Sequence, residues 1–154
     1  ALSFVRDSKD LLNLYSHIEK KSNKYKPGIC IKIEDPLGIE NLEDVIKTAS
    51  EKEISLSVMI ARGDMFVEVP YEKVPRIQKD MIALCKKYNV PVITATGLLE
   101  SMQNSPIPAR SEVMDTANAV LDGTDGLMLS PECSNSRYPA EAVEVANKIM
   151  KEYS

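Results

Sequence analysis

The chain is poor in the residues that mark several functional classes. Its 154 residues hold one histidine, His17, no tryptophan and two phenylalanines. A single histidine excludes a His-rich zinc site. The three cysteines, Cys30, Cys85 and Cys133, are too scattered for a CxxC motif or a disulfide framework, which points to a reducing, cytoplasmic setting. Two phenylalanines and six tyrosines form no stripe on which bases could stack. No block of five like charges occurs, and 19 basic against 23 acidic residues leave a net charge of −4. Neither nucleic acid nor an anionic membrane surface is therefore expected as a partner. No apolar run approaches the ~18 residues of a membrane span. The motifs GxxxxGK[ST] and GxGxxG are both missing, so any nucleotide is handled without a P-loop or a dinucleotide fingerprint. Residues 1–7 reach charge too early for a signal peptide. With no initiator Met and an apolar opening, the chain reads as a piece of something longer.

What is present is an ordinary globular balance, 44% apolar and 27% charged, which argues against a disordered tail. The length suffices for one domain but falls short of a complete (β/α)₈ barrel of ~250 residues. Short β-rich runs at 2–5, 29–34, 57–61, 91–96 and 126–130 alternate with longer amphipathic segments at 8–21, 41–50, 71–88, 112–121 and 140–152. The β-rich runs are almost continuously apolar, as strands buried on both faces of a parallel sheet are. In the first helix Leu11, Leu12, Tyr15 and Ile18 share a stripe. Ser111 is the expected N-cap of the fourth helix, and Gly123 its C-terminal stop. Pro27-Gly28, Pro36-Leu37-Gly38 and residues 104–110 read as loops. Five β-α units in series specify an α/β fold with parallel strands, either an open doubly wound sheet or five consecutive units of a barrel. No linker divides the chain, so a single domain is expected.

Polar residues gather where the runs end. In Ile31-Lys32-Ile33-Glu34, residues two apart share a face, so Lys32 and Glu34 project together. A lysine and a glutamate on a buried strand are costly unless paired or bound to a ligand. A structural ion pair is one reading and a ligand site the other. Ala61-Arg62-Gly63-Asp64 follows the next run and reads as its continuation. Gly63 permits close approach of a ligand to the backbone, and Asp64 would stand at a strand's carboxyl end, where α/β folds place chemistry. With Glu34 it could offer two carboxylates to Mg²⁺; otherwise it caps a turn. Thr96 would bring a hydroxyl to the same rim, if it is not satisfied by local backbone. Cys133 has the acidic neighbour Glu132, which works against a thiolate. His17, mid-helix, reads as a surface residue.

The order of these segments resembles the pyruvate kinase family. The resemblance runs through Ser3-Phe4-Val5-Arg6, Lys32-Ile33-Glu34, Met59-Ile60-Ala61-Arg62-Gly63-Asp64, Val67-Glu68-Val69-Pro70 and Lys79-Asp80-Met81-Ile82. It continues in Pro91-Val92-Ile93-Thr94-Ala95-Thr96, Leu99-Glu100-Ser101-Met102, Ala117-Asn118-Ala119-Val120-Leu121-Asp122-Gly123, Met128-Leu129-Ser130 and Tyr138-Pro139. It implies a partial TIM (β/α)₈ barrel, strands four to eight of the catalytic A domain over residues 1–154, with no B domain and no C-terminal domain. It implies the glycolytic transfer of a phosphoryl group from phosphoenolpyruvate to ADP, giving pyruvate and ATP.

Residue by residue, Lys32 matches the lysine that stabilises the phosphoryl group in flight. Glu34 and Asp64 match the ligands of Mg²⁺ or Mn²⁺. Gly63 and Asp64 match backbone donors to the substrate carboxylate, Thr96 the threonine beside the enolate carbon, and Ser3 a serine near the phosphate. K⁺ is a further implied cofactor whose ligands lie outside this segment. Association with the rest of the barrel, or a homo-oligomer, is implied as well.

The chain departs from the family pattern at Phe66 and Ala109, at Gly97 where glutamine is usual, and at Pro131 and Cys133. Two functions follow: a portion of a pyruvate kinase, inactive by itself, or a non-catalytic module derived from one.

Overall fold

The computed structural model describes residues 1–21 and 26–153. Its secondary structure divides into two compact units, residues 1–92 and 93–154, each built of parallel strands and helices. No helix among the described residues is long and apolar enough to cross a membrane.

In the first unit, helix α1 (Ser8–Lys21) starts where expected because Asp7 caps it. One Asp7 carboxylate oxygen accepts the N–H groups of Lys9 at 2.8 Å and Asp10 at 3.2 Å. Leu11 is fully buried, while Leu12, Tyr15 and Ile18 pack half-buried against the core; His17 is exposed. Strand β1 (Ile29–Ile33) alternates, with Ile29, Ile31 and Ile33 buried and Cys30 and Lys32 half-buried. Helix α2 (Pro36–Glu51) begins five residues before the periodic stretch that announced it. Pro36-Leu37-Gly38, expected as a loop, is its first turn: Asp35 is the N-cap, Pro36 needs no partner for a missing N–H, and the Asp35 carboxylate accepts the Gly38 N–H at 2.9 Å. Strand β2 (Leu56–Ala61) pairs parallel with β1 in a register that sets Lys32 against Met59 and Ile33 against Ile60.

Three expectations are corrected here. Residues 2–5 do not form a strand. Leu2 makes one parallel bridge to Ile31, and then Phe4, at φ 52°, turns the backbone out of the ladder. Arg62-Gly63-Asp64 does not continue β2 but opens helix α3 (Arg62–Glu68) without a loop between. The single helix expected over 71–88 is a 3₁₀ turn, Tyr71–Lys73, followed by α4 (Val74–Lys87), which buries Val74, Met81, Ile82 and Cys85. The left-handed residues Glu53 and Asn89 follow the ends of α2 and α4.

Gly38 is where α2 meets the N-terminal segment. A Cβ there would lie 2.4 Å from the Val5 carbonyl oxygen, a backbone atom with little freedom to yield. Gly38→Ala should therefore destabilise the first unit by about 1–3 kcal/mol, the usual cost of overpacking, despite alanine's better helix propensity. Urea denaturation measures it, and an unchanged midpoint would contradict this packing.

Between α2 and α4, Glu43 accepts from Tyr88 Oη at 2.5 Å and from Lys87 Nζ at 3.1 Å, with Lys47 Nζ 3.4 Å away. The Tyr88 hydroxyl first, then Lys87, hold the Glu43 carboxyl down to about 2 from its usual 4.5. A carboxyl with a lowered folded pKa stabilises the fold above its unfolded pKa and stops doing so as pH falls through the folded one. The Glu43 contribution should thus be complete above 4.5 and vanish towards 2. Glu43→Gln should flatten the acid limb of the denaturation midpoint over that interval; an identical limb would contradict it.

The second unit holds β3 (Val92–Ala95), whose first residue falls at the division, and β4 (Gly126–Met128), paired parallel with Ile93 opposite Gly126 and Ala95 opposite Met128. β4 stops two residues before the expected end at Ser130. Buried Thr94 Oγ1 donates to Thr124 Oγ1 at 3.0 Å. A second 3₁₀ turn, Glu100–Gln103, precedes α5 (Arg110–Leu121). The N-cap of α5 is Ala109, not Ser111. Alanine offers no oxygen, so Glu112 accepts the Ala109 N–H at 3.1 Å and also takes the Ser101 hydroxyl. Gly123 ends α5 at φ 103°, as expected. The short α6 (Pro131–Ser134) and α7 (Pro139–Tyr153) complete the unit. Its core joins Leu98, Leu99 and Met102 to Ala142 and Ala146 of α7. The three cysteines are free. Four strands, rather than five, are present among the described residues.

Candidate functional site

The carboxyl end of β1 carries a polar cluster. Alternation along β1 turns Ile31 and Ile33 into the core and leaves Lys32 on the other face. Glu34, the first residue past the strand, is 1% exposed, and its Oε1 lies 2.6 Å from Lys32 Nζ. The expected sharing of a face by Lys32 and Glu34 is thus realised as an ion pair. Lys32 Nζ also donates to Ser3 Oγ at 3.2 Å, which brings Ser3 into the cluster. The lysine side chain keeps a quarter of its surface exposed, so the ammonium remains reachable from solvent.

Glu34 is the pivot of this arrangement. Its Oε2 accepts the Phe4 N–H, and that bond accompanies the left-handed turn at Phe4. Its Oε1 has the ion contact with Lys32 but accepts no hydrogen bond among the described residues. A buried carboxylate oxygen is expensive unless a cation offsets its charge, and the Lys32 ammonium at 2.6 Å does so here. The N-terminal segment is pinned beside it: Leu2 N–H donates to Cys30 O at 2.8 Å, Lys32 N–H to Leu2 O at 2.8 Å and Val5 N–H to Lys32 O at 3.2 Å.

Sequence reasoning missed a neighbouring ion pair. Arg6 Nε lies 2.5 Å from Asp35 Oδ2. Burial pulls the Asp35 carboxyl upward, but the Gly38 N–H and the Arg6 guanidinium outweigh it and hold the group below its ordinary value. Asp35 carried a readable signal, an acid directly before a proline at a helix start.

Gly63 and Asp64 stand exposed in the first turn of α3, immediately after β2. Because β1 and β2 are parallel with Ile33 opposite Ile60, this turn leaves the same carboxyl end of the strand pair as Glu34. Phe66, where the family pattern has glycine, points to solvent and stacks on Tyr71 with ring centroids 5.9 Å apart. Its bulk fills no buried space.

Thr96 belongs to the second unit, directly after β3. It is half-buried at φ 75°, with Gly97 at φ 70°. A β-branched residue in the left-handed region is a genuine outlier, of the kind concentrated at functional sites. Gly97 suits the backbone it occupies. Nearby, Glu132 is fully buried and accepts the Leu99 N–H at 3.2 Å and the Ser130 N–H at 2.7 Å.

Among the described residues no group of three or more His, Cys, Asp or Glu side chains could hold a metal ion unaided. Two carboxylates with the rest of the shell drawn from water and substrate is, however, the usual manner of Mg²⁺ binding. Glu34, buried beside Lys32, and the exposed Asp64 are the two carboxylates on which such a site would draw.

Each unit has parallel strands leading into helices, with polar side chains at strand carboxyl ends, the elements from which a barrel of the TIM type is built. The family model for the pyruvate kinase barrel domain matches residues 1–143, and the chain belongs to the pyruvate kinase family. Pyruvate kinase of Staphylococcus saprophyticus is 46% identical over 149 residues, which is 97% of this chain and 24% of that protein. Pyruvate kinase of Thermotoga maritima is 46% identical over 152 residues, 99% of this chain and 31% of that protein. The chain thus spans about a quarter to a third of the length of these relatives.

Proposed function

We propose that this segment contributes part of the active site of a Mg²⁺-dependent pyruvate kinase, one that transfers the phosphoryl group of phosphoenolpyruvate to ADP. The observation that carries the reading is the buried Glu34, ion-paired to a partly accessible Lys32 that also holds Ser3, at the end of a barrel strand. The Lys32 ammonium offsets charge on the equatorial oxygens of the phosphoryl in transit, and Ser3 borders the phosphate. Glu34 and Asp64 hold the divalent ion, which when bound neutralises the carboxylate and enolate oxygens of the substrate. The N–H groups of Gly63 and Asp64 serve the substrate carboxylate. Thr96 supplies the hydroxyl for protonation of the enolate carbon.

Residues 1–154 correspond in this reading to strands four to eight of the catalytic barrel. The nucleotide-closing B domain, the C-terminal domain and the K⁺ ligands lie elsewhere in the enzyme, so the segment alone is inactive. Its partners are phosphoenolpyruvate and ADP, pyruvate and ATP, and the remainder of the barrel or further copies of the enzyme, in the cytoplasm. A second reading, a non-catalytic module of the same descent, draws on Phe66, Gly97 and Pro131. Two of these three have benign places: the Phe66 ring is in solvent and Pro131 is the first residue of α6.

The test is a coupled assay of the full-length protein that carries this segment. ATP formation from phosphoenolpyruvate and ADP should require Mg²⁺ and fall at least about 10³-fold in Glu34→Gln/Asp64→Asn, given the several kcal/mol a metal supplies to charge stabilisation. A folded full-length protein with no activity would favour the non-catalytic module.

A further inference from the structure

Glu132 is fully buried, yet no cation is paired with it among the described residues; its partners are two backbone N–H groups. A buried carboxylate is a costly way to satisfy two amides, which raises the question of what it holds. One oxygen takes the Leu99 N–H and the other the Ser130 N–H, so a single side chain ties the backbone leaving β3 to the backbone leaving β4. Thr116 of α5, also fully buried, donates its Oγ1 proton to the Leu98 carbonyl at 3.2 Å. The Leu98 carbonyl and the Leu99 N–H belong to one peptide group. That peptide is therefore gripped at both ends, by α5 through Thr116 and by α6 through Glu132. Its flanking side chains, Leu98 and Leu99, are fully buried.

The strained Thr96, at φ 75°, lies immediately upstream, followed by Gly97 at φ 70°. Strain of this kind persists only where the surroundings over-determine the backbone. Upstream of the pair, the β3–β4 ladder holds Ala95 opposite Met128; downstream, the gripped peptide holds Leu98–Leu99. We infer that Thr116 and Glu132 are positioning residues, which set the direction of the Thr96 hydroxyl by clamping the Leu98–Leu99 peptide. The inference rests on the proposed part of Thr96 in protonating the enolate carbon, and adds the device that aims it. Neither residue touches substrate in this account; both act through the backbone.

The full-length protein carrying this segment tests the clamp. Thr116→Val removes the hydroxyl at nearly constant volume, and Glu132→Met removes both acceptors. Hydrogen exchange of the peptide covering residues 96–102 should speed up at least about tenfold in each, since a peptide group loses a buried partner. The kcat should fall at least about tenfold while KM for phosphoenolpyruvate stays within about twofold, the pattern of a lost transition-state alignment. Glu132→Gln, which keeps one acceptor, should recover part of the kcat.

The decisive readout is coupling to Thr96. In a Thr96→Ala background Thr116→Val should cost no further kcat, whereas a purely structural role would remain additive. Faster exchange with unchanged kcat overturns the inference, as does unchanged exchange. A fully active Thr96→Ala overturns instead the reading of Thr96 on which the inference rests. If Glu132→Met does not fold, Thr116→Val and Glu132→Gln decide the matter alone.

Discussion

Lys32→Met, in the full-length protein that carries this segment, should lower kcat for ATP formation by about 10³-fold or more. The figure corresponds to roughly 4 kcal/mol, what one preorganised charge contributes to a transition state. Lys32 is set for this by its surroundings. The strand fixes its Cα, Glu34 Oε1 holds the ammonium at 2.6 Å and Ser3 Oγ takes one of its protons. An ammonium so held meets the transferring phosphoryl without reorganising, which is the condition for raising kcat rather than merely lowering KM. Methionine keeps most of the volume and removes the charge. In the proposed reading, proton exchange on bound pyruvate calls on Glu34, Asp64 and Thr96 but needs no phosphoryl transfer, so it should suffer much less. A coupled assay reads the first activity and tritium release from labelled pyruvate the second. Equal loss of both would make Lys32 part of the metal site or the scaffold and end its phosphoryl role.

Glu34→Ala should unfold the first unit more readily, by about 3 kcal/mol, the lower end of what removing one partner of a buried pair costs. The lower end applies because Lys32 keeps a quarter of its side chain exposed and can rehydrate. The substitution also orphans the Phe4 N–H, and with it the contact that holds the N-terminal segment near the end of β1. Glu34→Gln, which retains an acceptor for that N–H, should cost less than half as much while still removing a charge from the proposed metal site. Urea denaturation separates the two variants. A Glu34→Ala protein as stable as wild type would mean that the burial of this carboxylate has no structural consequence.

How much of this was legible in the sequence depended on whether the signal was local. Helix α1 was read to the residue, because its apolar stripe is long and its last turn is basic. That Lys32 and Glu34 share a face followed from the two-residue period of a strand, and their 2.6 Å contact settles on the ion pair of the two readings that period left open. Helix α3 was not legible: it has seven residues, includes Gly63, and begins at the residue after β2 with no turn to announce it. Residues 2–5 have the composition of a strand, but the Glu34 carboxylate draws the Phe4 N–H out of the ladder, a contact thirty residues away in sequence. Ser111 looked like a cap by type, whereas the N-cap falls at Ala109, with Glu112 and Ser101 serving the backbone there. The left-handed Thr96 ran against residue preference, and the burial of Glu132 depended on two backbone N–H groups that only the folded loops bring together. Local periodicity was readable; long-range hydrogen bonding by buried carboxylates was not.

The central claim, that Glu34 and Asp64 form the divalent-ion site of a pyruvate kinase barrel, is tested most directly by Mn²⁺ titration followed through water-proton relaxation. The wild-type chain should show a weak site, with affinity on the order of millimolar, because substrate and water must complete the shell around two carboxylates. Glu34→Gln/Asp64→Asn should abolish it. Equal Mn²⁺ binding by the wild type and the double variant would contradict the assignment.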